Sequence, residues 1–124
     1  MARFIFYLCI LAIFNYSCYS RKCTVDPKFV DNFNKKLKLI QLEEQKKDSV
    51  NIEKYRYALI YFSTITEILP RADYSSTVGY RNRQYYEEDM KKLKAWLKHN
   101  KCNFTIGKSD SILRAVGYSM LISE

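Results

Sequence analysis

Hydrophobic positions along this chain follow two different patterns. From Phe4 to Phe14 the chain is apolar without a break, whereas from Val25 onward apolar residues recur every three or four positions, the spacing of helices with one buried face. The unbroken run, roughly eleven residues, is too short to cross a bilayer, which needs about 20. Met1-Ala2-Arg3 precede it and the small residues Cys18 and Ser20 follow, so it reads as a secretory signal cut after Ser20. A buried N-terminal helix fits less well, because an unbroken run would be apolar on every face. Asn15-Tyr16-Ser17-Cys18 offers a second, lipoprotein-type cut that would make Cys18 a lipid anchor, with Asn15 where such sites carry leucine.

The remaining chain, residues 21–124, predicts one all-α domain: a small bundle of three to four helices closed by one disulfide. In the first helix Asp26 caps, Pro27 takes the first helical position, and Val25 and Val30 form a hydrophobic staple. Its stripe is Val30, Phe33, Leu37 and Ile40, fading over 43–47. Asp48, Ser49 and Asn51 offer caps for a second helix with stripe Tyr55, Ala58, Phe62, Ile65 and Leu69, ended by Pro70. Residues 70–81 carry no helical period and are rich in turn formers. A third helix begins near Asn82, buries Tyr86, Met90, Leu93 and Leu97 with Trp96 at the border, and stops at Asn100. Glu87, Glu88 and Asp89 sit near its start, where they suit the helix dipole, and Glu87–Lys91 and Glu88–Lys92 are spaced for i,i+4 pairs. A short final helix, capped by Ser109, repeats Ile112, Val116 and Met120.

After the cut, Cys23 and Cys102 are the cysteines that remain, an isolated pair that reads as a disulfide in an oxidising compartment. The pairing constrains topology. Cys23 precedes the first helix and Cys102 follows the third, and in a plain up-down-up bundle those ends lie a helix length apart, about 30 Å for 20 residues. Bridged cysteines need Cα atoms within about 7 Å. Residues 70–81 must therefore carry the chain back along the bundle, which a dozen extended residues spanning about 40 Å can do, or the helices must cross steeply.

Charge enters next. The full chain carries +8; with Arg3 removed, 20 basic against 13 acidic residues leave +7. That balance favours anionic surroundings without selecting among lipid headgroups, glycans, nucleic acid and acidic proteins. Lys91, Lys94, Lys98 and Lys101 share one stripe of the third helix, as an anion-binding ridge or simply as a solvated face. There are eleven tyrosines, and Tyr74, Tyr80, Tyr85 and Tyr86 interleave with Arg81 and Arg83 in and beside the irregular segment. Tyrosine offers rigid apolar area with a polar tip, which suits stacking on bases or sugars, anchoring a protein, or packing the loop onto the helices.

Catalytic chemistry finds little support. His99 stands at a helix end amid Lys98, Asn100 and Lys101 with no partner suggested by spacing. Three scattered glycines make no phosphate loop, and no serine sits in a G-x-S-x-G elbow. The carboxylate clusters Glu43-Glu44 and Glu87-Glu88-Asp89 read as solvated faces. Asn103-Phe104-Thr105 matches a glycosylation acceptor, relevant to a eukaryotic chain. The reading is of no catalytic activity, no metal and no cofactor.

Tyr57-Ala58-Leu59, Ile65-Thr66-Glu67-Ile68, Ala72-Asp73-Tyr74-Ser75-Ser76 with Tyr80, and Asp89 through Leu93, Trp96 and Asn100-Lys101 resemble a loose group of small exported hypothetical proteins of Bacteroidota. The resemblance spans residues 55–102 and implies a bacterial periplasmic or outer-surface location, with no activity attached to it. The chain is accordingly expected to be an exported binding module, of immunity or inhibitor type in one form, periplasmic, cell-surface or secreted. Its expected contacts are Tyr74, Tyr80, Arg81, Arg83 and Tyr85, and its partner a protein or an anionic envelope component, with no specific nucleic acid and no membrane span. The alternative is a polyanion- or envelope-binding structural protein acting through Lys91, Lys94 and Lys98.

Overall fold

The computed structural model describes residues 22–45, 51–74 and 79–121. The signal segment with Cys18, and Asp48 and Ser49, lie outside the described residues. Within them the protein is all-α: α1 (Pro27–Gln45), α2 (Ile52–Thr66), α3 (Arg83–Asn100) and α4 (Ile106–Ala115), with one 3₁₀ turn at Ser119–Leu121.

Each helix starts on a side-chain cap. Asp26 accepts from the Lys28 backbone N–H at 2.9 Å, Asn51 from those of Glu53 and Lys54, Asn82 from those of Gln84 and Tyr85, and Thr105 from that of Lys108. Asp26 does more than cap α1: its second carboxylate oxygen accepts the N–H of Ile106 at 2.8 Å and so joins the starts of α1 and α4. Those bonds hold its carboxyl below the usual carboxylate range, the one to Ile106 foremost.

Several expected details are corrected. Phe29, fully buried, leads the α1 stripe with Phe33, Leu37 and Ile40, while Val30 is half-buried and Val25 exposed, so the staple is marginal. The second helix ends at Thr66, before Pro70. Thr66 donates its hydroxyl to the Phe62 carbonyl at 2.6 Å and accepts the Ile68 N–H, and Glu67 turns left-handed at φ 59°. Leu69 therefore leaves the stripe and stands 70% exposed. In α4 Thr105, and not Ser109, is the cap. Ser109 and Leu113 face the core, whereas Val116 and Met120 lie past the helix end and are exposed.

Aromatic packing centres on Phe33. Its ring meets Phe62 edge-on at 4.8 Å, contacts Phe29 and Tyr61, and stacks on Trp96 at 5.7 Å with the planes 2° apart. Phe104 continues the cluster onto Phe29 and Trp96. Each such aromatic pair adds about 0.5–1.5 kcal/mol beyond area burial.

These contacts fix the course of the chain. Gly79 lies against Tyr55 at the start of α2 and Glu43 near the end of α1, so the segment after α2 has travelled back along that helix. Gly79 takes φ +67° there, a conformation glycine adopts without strain. α3 then descends in the same sense as α2 and opposite to α1, bringing Trp96 to Phe33 and Phe104 to Phe29. Cys23 and Cys102 meet at that lower end in a disulfide with Cα atoms 5.1 Å apart, closing 79 positions of chain. Of the two routes the cysteine pair allows, the chain takes the returning one.

Candidate functional site

The returning segment is pinned by one arginine. Arg71 donates its backbone N–H to Asp89 Oδ2 at 2.7 Å, and its Nε and Nη2 to Oδ1 of the same carboxylate at 3.0 and 2.7 Å. Nη2 also reaches Glu88 at 2.8 Å. The guanidinium lies 4.2 Å from the centroid of the Tyr85 ring. The paired carboxylates raise the Arg71 pKa, with Asp89 the larger cause, and Glu88 is held low by Arg71 and by the Gln84 amide.

Above this anchor opens a cleft of about 550 Å³, lined by Arg71, Ala72, Asp73 and Tyr74 of the returning segment and by Arg81, Asn82 and Tyr85 at the start of α3. A second ion pair crosses it: Arg81 Nη2 donates to Asp73 Oδ2 at 2.6 Å. A backbone bond from the Asp73 N–H to the Gly79 carbonyl at 2.9 Å ties the two walls together.

Tyr74, Arg81 and Tyr85 are thus brought together. Tyr80 is not part of that surface: it is 6% exposed, packs edge-on against Tyr86 and lies beside Asp89. Burial raises its phenol well above the ordinary range, and pushes that of Tyr74 up to about 12. Arg83 lies outside the cleft lining, is exposed, and pairs with Glu87 at 2.9 Å. Glu87 and Glu88 therefore have arginine partners in place of the expected Lys91 and Lys92.

Lys91, Lys94 and Lys98 are exposed on α3 but belong to another face. At about 100° per residue, they lie between about 120° and 180° around the helix from Tyr85, with the buried Asp89, Met90 and Leu93 on the arc between Tyr85 and Lys94. On the outer side of α3 the arc from Tyr85 to Lys91 carries Lys92, His99, Glu88 and Ala95, so the ridge and the cleft are formed by different residues of one helix whose outer face joins them. His99 is exposed and its Nδ1 lies 2.7 Å from the Ala95 carbonyl oxygen. Among the described residues no His, Cys, Asp and Glu group could hold a metal ion, and no helix is long and apolar enough to cross a membrane.

Asp89, expected with Glu87 and Glu88 on a solvated face, is instead 1% exposed, and Arg71 stands outside the expected contact set. Asp89 carries a signal, since it stands one turn from Tyr86 and one turn from Leu93 on the apolar face of α3. A partner 18 residues away in an irregular segment left no periodic trace.

Fold and site together define a small disulfide-closed helical bundle carrying an arginine- and tyrosine-lined cleft. No protein-family model matches the chain, and no match to it is found among curated proteins or solved structures.

Proposed function

We propose that this chain is an exported, non-catalytic interaction module that holds a partner protein at the Arg71–Arg81–Tyr85 cleft, of immunity or inhibitor type in its most specific form. One observation carries the reading. Two arginines, each braced by a carboxylate, stand with two tyrosines around one cleft. Arginine and tyrosine are the residue types, with tryptophan, that dominate protein-binding energetics, and bracing removes conformational freedom before contact rather than during it. The Arg71–Asp89 anchor, its carboxylate buried, ties the cleft wall to α3. The disulfide fits an oxidising compartment and so supports export.

A second reading rests on the lysine ridge: binding of an anionic envelope component through Lys91, Lys94 and Lys98. The two readings rest on different residues and are therefore separable by mutation. The test is retention of envelope proteins on immobilised oxidised 21–124 protein, washed at low and high salt, against two variants. Under the protein-binding reading a protein survives high salt, is lost with Arg81→Ala, and persists with Lys91→Gln, Lys94→Gln and Lys98→Gln. Retention of polyanions alone, lost at high salt and in the lysine variant, would establish the second reading.

A further inference from the structure

We infer that the lower end of the bundle, around the Cys23–Cys102 bridge, is a docking face for the surface of an anionic lipid bilayer; this stands apart from the cleft reading above. Three helix ends are fastened together there. The disulfide joins the start of α1 to the end of α3. The Asp26 carboxylate, accepting the Lys28 and Ile106 N–H groups, joins the start of α1 to the start of α4. Each of these ends carries lysine: Lys22 and Lys28 flank the entry to α1, Lys98 and Lys101 close α3, and Lys108 lies in the first turn of α4.

These cations are held differently from those around the cleft. Arg71, Arg81 and Arg83 each meet a carboxylate, whereas none of the five lysines is in an ion pair among the described residues. Lys22, Lys28, Lys98 and Lys108 are exposed and Lys101 is half-buried. Lys108 Nζ donates to the Asn103 carbonyl and lies 4.3 Å from the centroid of the Phe104 ring, which keeps its charge at this end. Acids are few. Asp26 is turned onto backbone amides, Asp31 pairs with Lys35, and Asp110 lies near Lys36. Glu67, the exposed cap of α2, is the further acid on this side. Residues 1–21, which lead into Lys22, add Arg3 and Arg21 and no acidic residue, so the preceding chain cannot cancel the excess.

The layout selects a bilayer over a linear polyanion. The lysines sit at the ends of three helices and so meet a plane together, whereas a polymer would follow Lys91, Lys94 and Lys98 along the side of α3. A cluster of about four to eight cations on one face is enough to draw a protein to anionic headgroups. The course of the chain points to the same surface. Cys18 precedes Cys23 by five residues, at most about 18 Å of extended backbone, so a lipid carried on Cys18 would bring this end of the bundle to the membrane. One acyl chain with a basic patch is a stable anchor where either alone is marginal.

The test is co-sedimentation of oxidised 21–124 protein with vesicles of phosphatidylcholine, alone or mixed with phosphatidylglycerol, beside retention on heparin as a soluble polyanion. The protein should sediment with the mixed vesicles, stay in solution with phosphatidylcholine alone, and be released by salt. Each lysine near an anionic surface is worth about fivefold in partitioning, so Lys22→Gln with Lys28→Gln and Lys108→Gln should weaken it about 100-fold. Arginine at the same three positions should bind as the unchanged protein does, which separates charge from any effect on folding. Lys91→Gln with Lys94→Gln should lower binding only severalfold. No sedimentation, equal sedimentation with both kinds of vesicle, or an arginine variant that does not bind would overturn the inference. So would retention on heparin at a salt concentration that releases the vesicles, or a larger loss from the Lys91 and Lys94 variant, either of which would assign the charge to a soluble polyanion or to the side of α3.

Discussion

Arg71 and Asp89, 18 residues apart, are joined three times over: backbone amide to one carboxylate oxygen, and two guanidinium nitrogens to the other. Asp89 is 1% exposed, so the arginine supplies donors where water does not reach. Asp89→Asn retains one acceptor but removes the charge and orphans part of this set. It should cost about 1–3 kcal/mol in urea denaturation, below the figure for a fully buried pair because Arg71 keeps Glu88 and solvent. Amide hydrogen exchange should rise first in residues 71–74 and 79–82, the segment that Arg71 pins.

The disulfide closes a long loop at the lower end of the bundle. In the chain-entropy model a loop of this size stabilises by about 4–5 kcal/mol. Denaturation midpoints with and without reductant should differ accordingly, and Cys23→Ser with Cys102→Ser should reproduce the reduced protein. An unchanged midpoint would mean that the α1, α3 and α4 ends are held without the bridge.

Phe33 is the hub of the aromatic core, touching Phe29, Tyr61, Phe62 and Trp96. Phe33→Ala should cost about 3–5 kcal/mol. Because Trp96 stacks on Phe33 and is the single tryptophan of the chain, its fluorescence should report the loss directly through a red-shifted emission.

At the acid end, Asp26 has a folded pKa depressed by the N–H groups of Ile106 and of α1. A depressed carboxylate contributes stability that is present above its unfolded pKa and lost as pH falls through the folded value, so the loss begins below about pH 4. Asp26→Asn should remove that part of the acid limb while preserving the alkaline limb. A variant with the wild-type acid profile would show that the bond to Ile106 contributes nothing to stability.

At the alkaline end the sign reverses. Tyr55, Tyr61 and Tyr80 have phenols raised by burial, and burial pushes that of Tyr74 up to about 12. A raised folded pKa gives stability that is complete below the unfolded phenol value, near 10, and drains away as pH climbs toward the folded one. Ultraviolet titration should show exposed tyrosines ionising first and the buried set ionising together with unfolding. Simple single-step ionisation of all of them would contradict the buried placement.

How much of this was legible in the sequence varied with the kind of signal. Helix existence was legible throughout, because Asn51, Asn82 and the 3–4 spacing of Phe33, Leu37 and Ile40 act locally. The topology was legible in part through a distance argument, since Cys23 and Cys102 could meet only through a returning segment or steeply crossed helices. Helix ends were not: α2 stops where Thr66 turns its hydroxyl onto the Phe62 carbonyl, a competition that composition does not reveal. The phase of α4 was misread because Val116 and Met120 repeat correctly but lie beyond Ala115. In the site, Tyr74, Arg81 and Tyr85 were within reach of a composition argument, while the inward turn of Tyr80 depends on Asp89 and Tyr86 being already in place.

The returning segment also gives the molecule two unlike poles. The cleft opens where α3 begins, and the cystine that binds residue 23 lies past the other end of the same helix, about 27 Å away for its 18 residues. A chain held to a surface through its N-terminal side would stand on its disulfide pole with the arginines and tyrosines facing outward. Attachment and recognition would then make no geometric demand on each other, and the anchor could be exchanged without disturbing the face that meets a partner.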